Sequence, residues 1–251
     1  MAAKLKPSAS VLYLYGVSNA RPARPVACVG VDGTSPVETL NTGSLTSWIS
    51  RVPRPEFADN LARNIENLDW LADASVRHQR VVAAIGEITD ILPTRLGTVF
   101  LNENSLAADV ERRKATLTAD LKRIQGKDEY GVKVFAGKPT KVEVPLAARS
   151  GKDYLQAKSA LLRMRTPQNK KDADIERLAQ ALDEVAEDTA EGGRISSGRR
   201  DLLYNVSVLL KRDNRKQLES LISRFAREWG DTRQIECTGP WPPYSFVSRD
   251  I

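Results

Sequence analysis

The chain has 251 residues, enough for one large domain or two modest ones. With 41% hydrophobic and 28% charged residues, the composition is that of a chain that buries a core, which excludes disorder throughout. The net charge of +6 favours an acidic partner or nucleic acid, but Lys and Arg alternate with Asp and Glu along most helical stretches, the pattern of a solvated face.

Met1 to Ser10 carries Lys4 and Lys6 and is followed by Val11-Leu-Tyr-Leu-Tyr-Gly-Val17, a run too short and too rich in Tyr for a signal peptide. Arg21, Pro22 and Arg24 come next, so the run reads as a first strand. Further strands are predicted at Val26–Val31, Val37–Leu40 and Leu45–Val52, with turns at Asp32-Gly33 and Asn41-Thr-Gly-Ser44. Short strands joined by tight turns imply a small antiparallel sheet. After Pro53 and Pro55 the period changes. Phe57, Leu61, Ile65, Leu68, Leu71, Val82 and Ile85 predict one long amphipathic helix covering the sheet, with Gly86 near its end.

Residues 88–100 read as a strand entering a new unit. Leu106, Val110, Leu117, Leu121 and Ile124 predict a helix stopped by Gly126. Tyr130, Val132 and Val134 alternate as a half-buried strand, and Tyr204, Val206, Val208 and Leu210 form another. Leu218, Leu221, Ile222, Phe225 and Trp229 predict a helix, and Ile235 and Cys237 a last strand. Two helices, Tyr154–Met164 and Ile175–Thr189, broken at Thr166-Pro167, fill the interval as an insertion. The expectation is an α+β chain. Residues 1–87 form an N-terminal sheet-and-helix domain. Residues 88–251 form a modified ferredoxin-like domain, with a helical insertion at about 150–195 and an aromatic and proline tail at 238–251.

No reactive constellation emerges. The single histidine, His78, sits mid-helix beside Arg77 and Arg80 and reads as a surface or partly buried residue. Cys28 and Cys237 lack zinc or redox spacing and read as reduced, buried, small side chains in a cytoplasmic protein. No phosphate-cradling glycine motif occurs, and no apolar run approaches the roughly 18 residues that span a bilayer. Glu184, Glu187, Asp188 and Glu191 read as a charged helix face, and Asn205-Val-Ser207 as a chance glycosylation triplet in a strand. Tyr130 and Phe135 could stack bases on a ferredoxin-like sheet, but the strand lacks the usual RNA-binding pattern, so core packing is expected. The chain is therefore read as no enzyme, with no cofactor, no metal and no small-molecule substrate. The tail Gly239-Pro-Trp-Pro-Pro-Tyr-Ser-Phe-Val247 is the most unusual feature. Proline stiffens it, so it serves either as a ligand for a partner's aromatic groove or as a strap packed on its own domain.

Thr238-Gly-Pro-Trp-Pro-Pro-Tyr-Ser-Phe-Val247 resembles the closing motif of the gas vesicle protein F/L family. Leu12-Tyr-Leu-Tyr-Gly-Val17, Leu68-Asp-Trp-Leu71, Leu92-Pro-Thr-Arg-Leu-Gly-Thr-Val-Phe100 and Glu129-Tyr-Gly-Val-Lys-Val134 resemble further family segments in order. Leu96 stands where Phe is usual and Tyr130 where Trp is usual; Tyr204-Asn-Val-Ser-Val-Leu209 fits only loosely. The resemblance implies two α+β domains and an accessory role in gas vesicle formation. It also implies partners among the hydrophobic shell protein and other accessory proteins, and no catalytic residues. The vesicle itself becomes a second location. The residues expected to meet a partner are Tyr154, Leu178, Leu182 and Val185 on the insertion, and Trp241, Tyr244 and Phe246 on the tail. Neither membrane nor nucleic acid is an expected partner. The competing readings are an RNA-binding protein and a ligand-sensing ferredoxin-like module.

Overall fold

The computed structural model describes residues 9–19, 26–137, 172–192 and 201–248. The expected helix at Tyr154–Met164, the Thr166-Pro167 break, Lys4, Lys6, Arg21, Pro22 and Arg24 lie outside these residues. The chain packs as two compact units. One draws on Met1–Tyr130, Leu209–Arg212 and Thr238–Ile251, the other on Gly131–Val208 and Asp213–Cys237.

The first unit is built on a sheet of five strands. Its members are β1 (Ser10–Ser18), β2 (Glu38–Thr42), β3 (Leu45–Pro53), β4 (Leu92–Pro93) and β5 (Val99–Phe100). The order is β2-β3-β1-β4, with β5 also pairing β1. A bulge at Tyr15 shifts the β1–β3 register between Leu14 and Gly16. Gly16 is required there, because a Cβ would meet the Leu92 carbonyl oxygen at 2.4 Å as β4 comes alongside. The β2–β3 hairpin turns through two residues, and Gly43 at φ +62 supplies the left-handed first position.

Three expectations change in this unit. Val26–Val31 forms no strand, only an isolated bridge between Val29 and Pro36. The Tyr15 hydroxyl captures the Val31 N–H at 2.8 Å instead, and the Asp32 carboxylate accepts from Thr34 N at 3.1 Å and Ser35 N at 2.9 Å, tying the segment into a loop. The single long helix is three pieces: a π-helical turn at Pro55–Asp59, α1 (Leu61–Glu66) and α2 (Leu68–Gly86). Asn67, extended, breaks the run because its side chain accepts from Asp69 N and Trp70 N as a cap. The buried face of α2 is Ala74, His78, Val81, Val82 and Ile85, while Leu68 is 78% exposed. Residues 88–100 open no new domain. β4 and β5 both pair antiparallel with β1, so the boundary expected at 87/88 falls inside the first unit.

The helix predicted over Leu106–Ile124 is two, α3 (Glu103–Arg112) and α4 (Lys114–Ile124), both burying the expected apolar residues. An Asn102–Ser105 capping box starts α3, and Gly126 at φ +69 follows α4.

The second sheet has order β7-β8-β6-β9. Its elements are β6 (Lys127–Ala136), α5 (Ala173–Asp183), β7 (Asp188–Glu191), β8 (Leu202–Lys211), α6 (Arg215–Trp229) and β9 (Arg233–Trp241). This is β-α-β-β-α-β with the first and third strands central, the ferredoxin-like arrangement. Its parts are not the expected ones. The supposed insertion supplies the unit's own first helix and second strand, and β6 rather than 88–100 is its first strand. The helix expected through Thr189 ends at Asp183, so Thr189 lies in β7. Glu184, Glu187, Asp188 and Glu191 accordingly straddle a turn and a strand and share no helix face. Arg233 fixes the start of α5, reaching Asp172 at 2.7 Å and Asp174 at 2.9 Å. Tyr130 and Phe135 are buried, as expected of core residues. Cys28 is half-buried and Cys237 exposed, both as free thiols, so the reading of two buried cysteines is corrected. Cys237 sits on β9, an edge strand whose side chains are largely open to solvent.

Candidate docking surface

The closing segment is built from proline, aromatic and hydroxyl residues, and each class does a different job. Pro242 and Pro243 have no N–H to extend a ladder, so β9 stops at Trp241 and the chain turns through a 3₁₀ turn at Tyr244–Phe246. Two buried carboxylates hold the backbone, one within the turn and one beyond it. Glu129 accepts from Ser245 N at 2.8 Å and from Ser245 Oγ at 2.6 Å. Asp120 accepts from Ser248 N at 2.9 Å and from Ser248 Oγ at 3.0 Å. The Arg123 guanidinium donates both to Asp120 and to the Phe246 carbonyl. A buried carboxylate is expensive unless its lone pairs are filled, and here the segment itself fills them.

The ring of Tyr244 reaches further in. Its hydroxyl lies 3.1 Å from His78 Nε2, and His78 Nδ1 lies 2.9 Å from the Tyr13 hydroxyl, which accepts from Gly97 N at 3.1 Å. Each ring nitrogen of His78 thus has a hydroxyl partner, which lets a neutral imidazole donate through one nitrogen and accept through the other. Burial pushes the His78 pKa down to about 4 and raises those of Tyr13 and Tyr244. Tyr15 carries a parallel link. It donates to Ser50 Oγ at 3.0 Å, Ser50 passes a hydrogen bond to the Pro36 carbonyl at 2.8 Å, and burial pushes the phenol up to about 12. His78 is 2% exposed, so the surface reading is corrected: it is a core histidine with a hydroxyl on each nitrogen.

The residues expected to meet a partner separate sharply. Leu178 and Leu182 are 0% and 1% exposed and Val185 is buried, so this stripe belongs to the core of the second unit, where α5 packs on α6. Tyr154 lies outside the described residues. Phe246 is buried, Tyr244 is half-buried against the first core, and Trp241 is 48% exposed. The strap reading thus holds for two of the three aromatics, and Trp241 stays at the surface. It borders a groove of about 280 Å³ within the first unit. Pro240, Trp241, Pro242 and Pro243 form one lining, and the end of α2 with the segment to Ile91, the end of α4, Lys127 and the Asp90–Arg212–Asp128 cluster form the rest. Arg212 bridges the two aspartates at 2.7 and 3.1 Å. The sequence carries no sign of the role of Glu129 or Asp120, because nothing marks a carboxylate in a strand or helix as the one that a distant serine will cover.

Among the described residues no group of three or more His, Cys, Asp or Glu is placed to hold a metal ion, and no helix is long and apolar enough to cross a membrane. The family model for "Gas vesicle synthesis protein GvpL/GvpF" matches residues 11–248. The chain belongs to the GvpL/GvpF family. It is 33% identical to gas vesicle protein L of Streptomyces sp., over 94% of this chain and 92% of that one. Gas vesicle protein F of Haloferax mediterranei is 25% identical over 96% of this chain and 94% of its own. The crystal structure of GvpF from Anabaena sp. superposes with a TM-score of 0.70 at 19% identity, covering 95% of this chain and 96% of that one. That of Microcystis aeruginosa gives 0.68 at 18%, covering 95% and 99%. These likenesses establish for this GvpL/GvpF-family chain an α+β fold with two antiparallel sheets. The docked tail and the groove are thus features of a gas vesicle accessory protein.

Proposed function

We propose that this chain acts without catalysis in gas vesicle formation, binding the hydrophobic shell protein and other accessory proteins to support nucleation or assembly of the vesicle. The observation that carries the reading is the family match over residues 11–248, nearly the full chain, so the role attaches to the whole fold. A shell protein that polymerises into a wall exposes apolar surface and strand edges before it assembles, which is an aggregation hazard that a binding partner relieves. The placement of the chemistry agrees. The imidazole of His78 is closed in between two tyrosines, where it has no access to a substrate. Tyr130 and Phe135 are likewise covered, which removes the stacking platform that the RNA reading needs. The chain would work in the cytoplasm and at the growing vesicle.

The test is a deletion of the gene in a vesicle-forming host that has no second copy, scored by electron microscopy and by pressure-induced loss of turbidity, together with capture of the shell protein on the tagged chain. The reading expects few or no vesicles and retained shell protein. Normal vesicles together with empty capture would defeat it.

A further inference from the structure

We infer that the groove beside Trp241 is a peptide site that takes an extended segment carrying an arginine or lysine next to an apolar residue, supplied by another gas vesicle protein. The inference rests on the function proposed above for the identity of the partner. It rests on the groove alone for the chemistry.

The apolar half of the site is rigid. Pro240, Pro242 and Pro243 hold Trp241 on a stiff backbone, so little freedom is lost when a ligand packs on the indole. Trp241 is also the single aromatic among the described large hydrophobic side chains that is exposed. An exposed indole on a proline frame offers a flat face to an aliphatic chain or a guanidinium.

The polar half is negative. Glu87, Asp90 and Asp128 line the groove against Lys127 and Arg212. Arg212 bridges the two aspartates, and the Lys127 ammonium, which donates to the Arg123 carbonyl at 2.7 Å, brings the second positive charge, so Arg212 and Lys127 together balance Asp90 and Asp128. Glu87 makes no ion pair among those described, so its carboxylate is the charge left to a ligand. Two helices add to it. Both α2, closing at Gly86, and α4, closing at Ile124, bring their C-terminal ends to the groove, each about half a negative charge. A patch of this sign on a chain with net charge +6 selects a cation. An acidic or purely apolar segment gains nothing from it.

The full chain is titrated with a capped hexapeptide of leucine and alanine with one central arginine, and with its twin carrying glutamate at that place, following the shift of the Trp241 indole N–H by NMR. The arginine peptide shifts that resonance and the glutamate peptide binds about tenfold more weakly or not at all. Trp241→Ala, read by calorimetry, and Glu87→Lys, an exposed change at a helix end, each weaken the arginine peptide about five- to tenfold. High salt weakens it as well. Equal binding of the twins, no binding at millimolar peptide, or full affinity in both variants would overturn the site. Capture of the shell protein is measured in parallel. If Trp241→Ala and Glu87→Lys lose the peptide but keep the shell protein at full strength, the groove serves another vesicle protein; if no vesicle protein is lost, the assignment of the partner fails while the family role stands.

Discussion

At the scale of single residues, His78 is the most consequential side chain in the first core. Substitution by Ala would leave a void and take one hydrogen-bond partner from each of the Tyr13 and Tyr244 hydroxyls. The expected loss is about 3 to 5 kcal/mol in urea unfolding, against about 1 to 2 kcal/mol for Tyr244→Phe, which removes the hydroxyl's hydrogen bonds and leaves the ring in place. Its titration adds a pH dependence. The unfolded imidazole takes its proton near the ordinary 6.5, whereas the folded one waits until about 4. Between these values only the unfolded chain binds the proton. Stability is therefore complete above about pH 6.5 and declines as the pH falls toward about 4, by roughly 3 kcal/mol in all. Unfolding near neutral pH and at about pH 5 measures the upper part of this window, and His78→Phe should flatten the difference. The hydroxyl partners that fix this behaviour were not legible in the sequence. The spacing of His78 to Val82 and Ile85 puts it on the apolar face of the helix, but nothing along the chain names Tyr13 and Tyr244 as its partners.

At the scale of elements, the closing segment is held by its serines as much as by its rings. Phe246→Ala empties a site that is 3% exposed and should lower stability by about 3 kcal/mol. Glu129→Gln weakens the grip on Ser245 by about 1 to 3 kcal/mol, and hydrogen exchange should quicken at residues 244–248 before it does in the sheet. The α5 stripe gives the opposite test. Leu178→Ala should cost about 2 to 5 kcal/mol of unfolding free energy in the second unit. Weakened shell-protein capture in that variant, if it tracks the unfolded fraction across temperature, reports lost fold rather than a lost contact. The periodicity of Leu178 and Leu182 was plain in the sequence, yet a buried stripe and a binding stripe share the same spacing. The same limit applied to the ferredoxin-like unit, whose element types were readable but whose first strand was assigned to the wrong segment. Residues 88–100 and β6 are both apolar and extended, and only pairing with β1 separates them.

At the scale of the whole molecule, the fold is discontinuous in sequence: the first unit gathers the start of the chain, a short piece of β8 and the closing segment. A chain cut after residue 87 should therefore fail to fold. It would strip β4 and β5 from β1 and leave Tyr244 absent from His78, and it should be insoluble or lack a cooperative thermal transition, whereas a chain ending at 248 should retain one. What the sequence determined by itself was local or compositional. It gave the α+β class, the hairpin at Gly43, the amphipathic helices and a tail motif specific enough to point to the family. Each of these is written within a few residues, by side-chain period, turn chemistry or an unbroken string of identities. What only the tertiary structure decided was which elements meet: the fifth strand of the first sheet, the true members of the second, the docking of the tail and the fate of each of its aromatics. Those choices depend on register and on side chains up to 166 positions apart, such as His78 and Tyr244, and no pattern read along the chain encodes a distance through space.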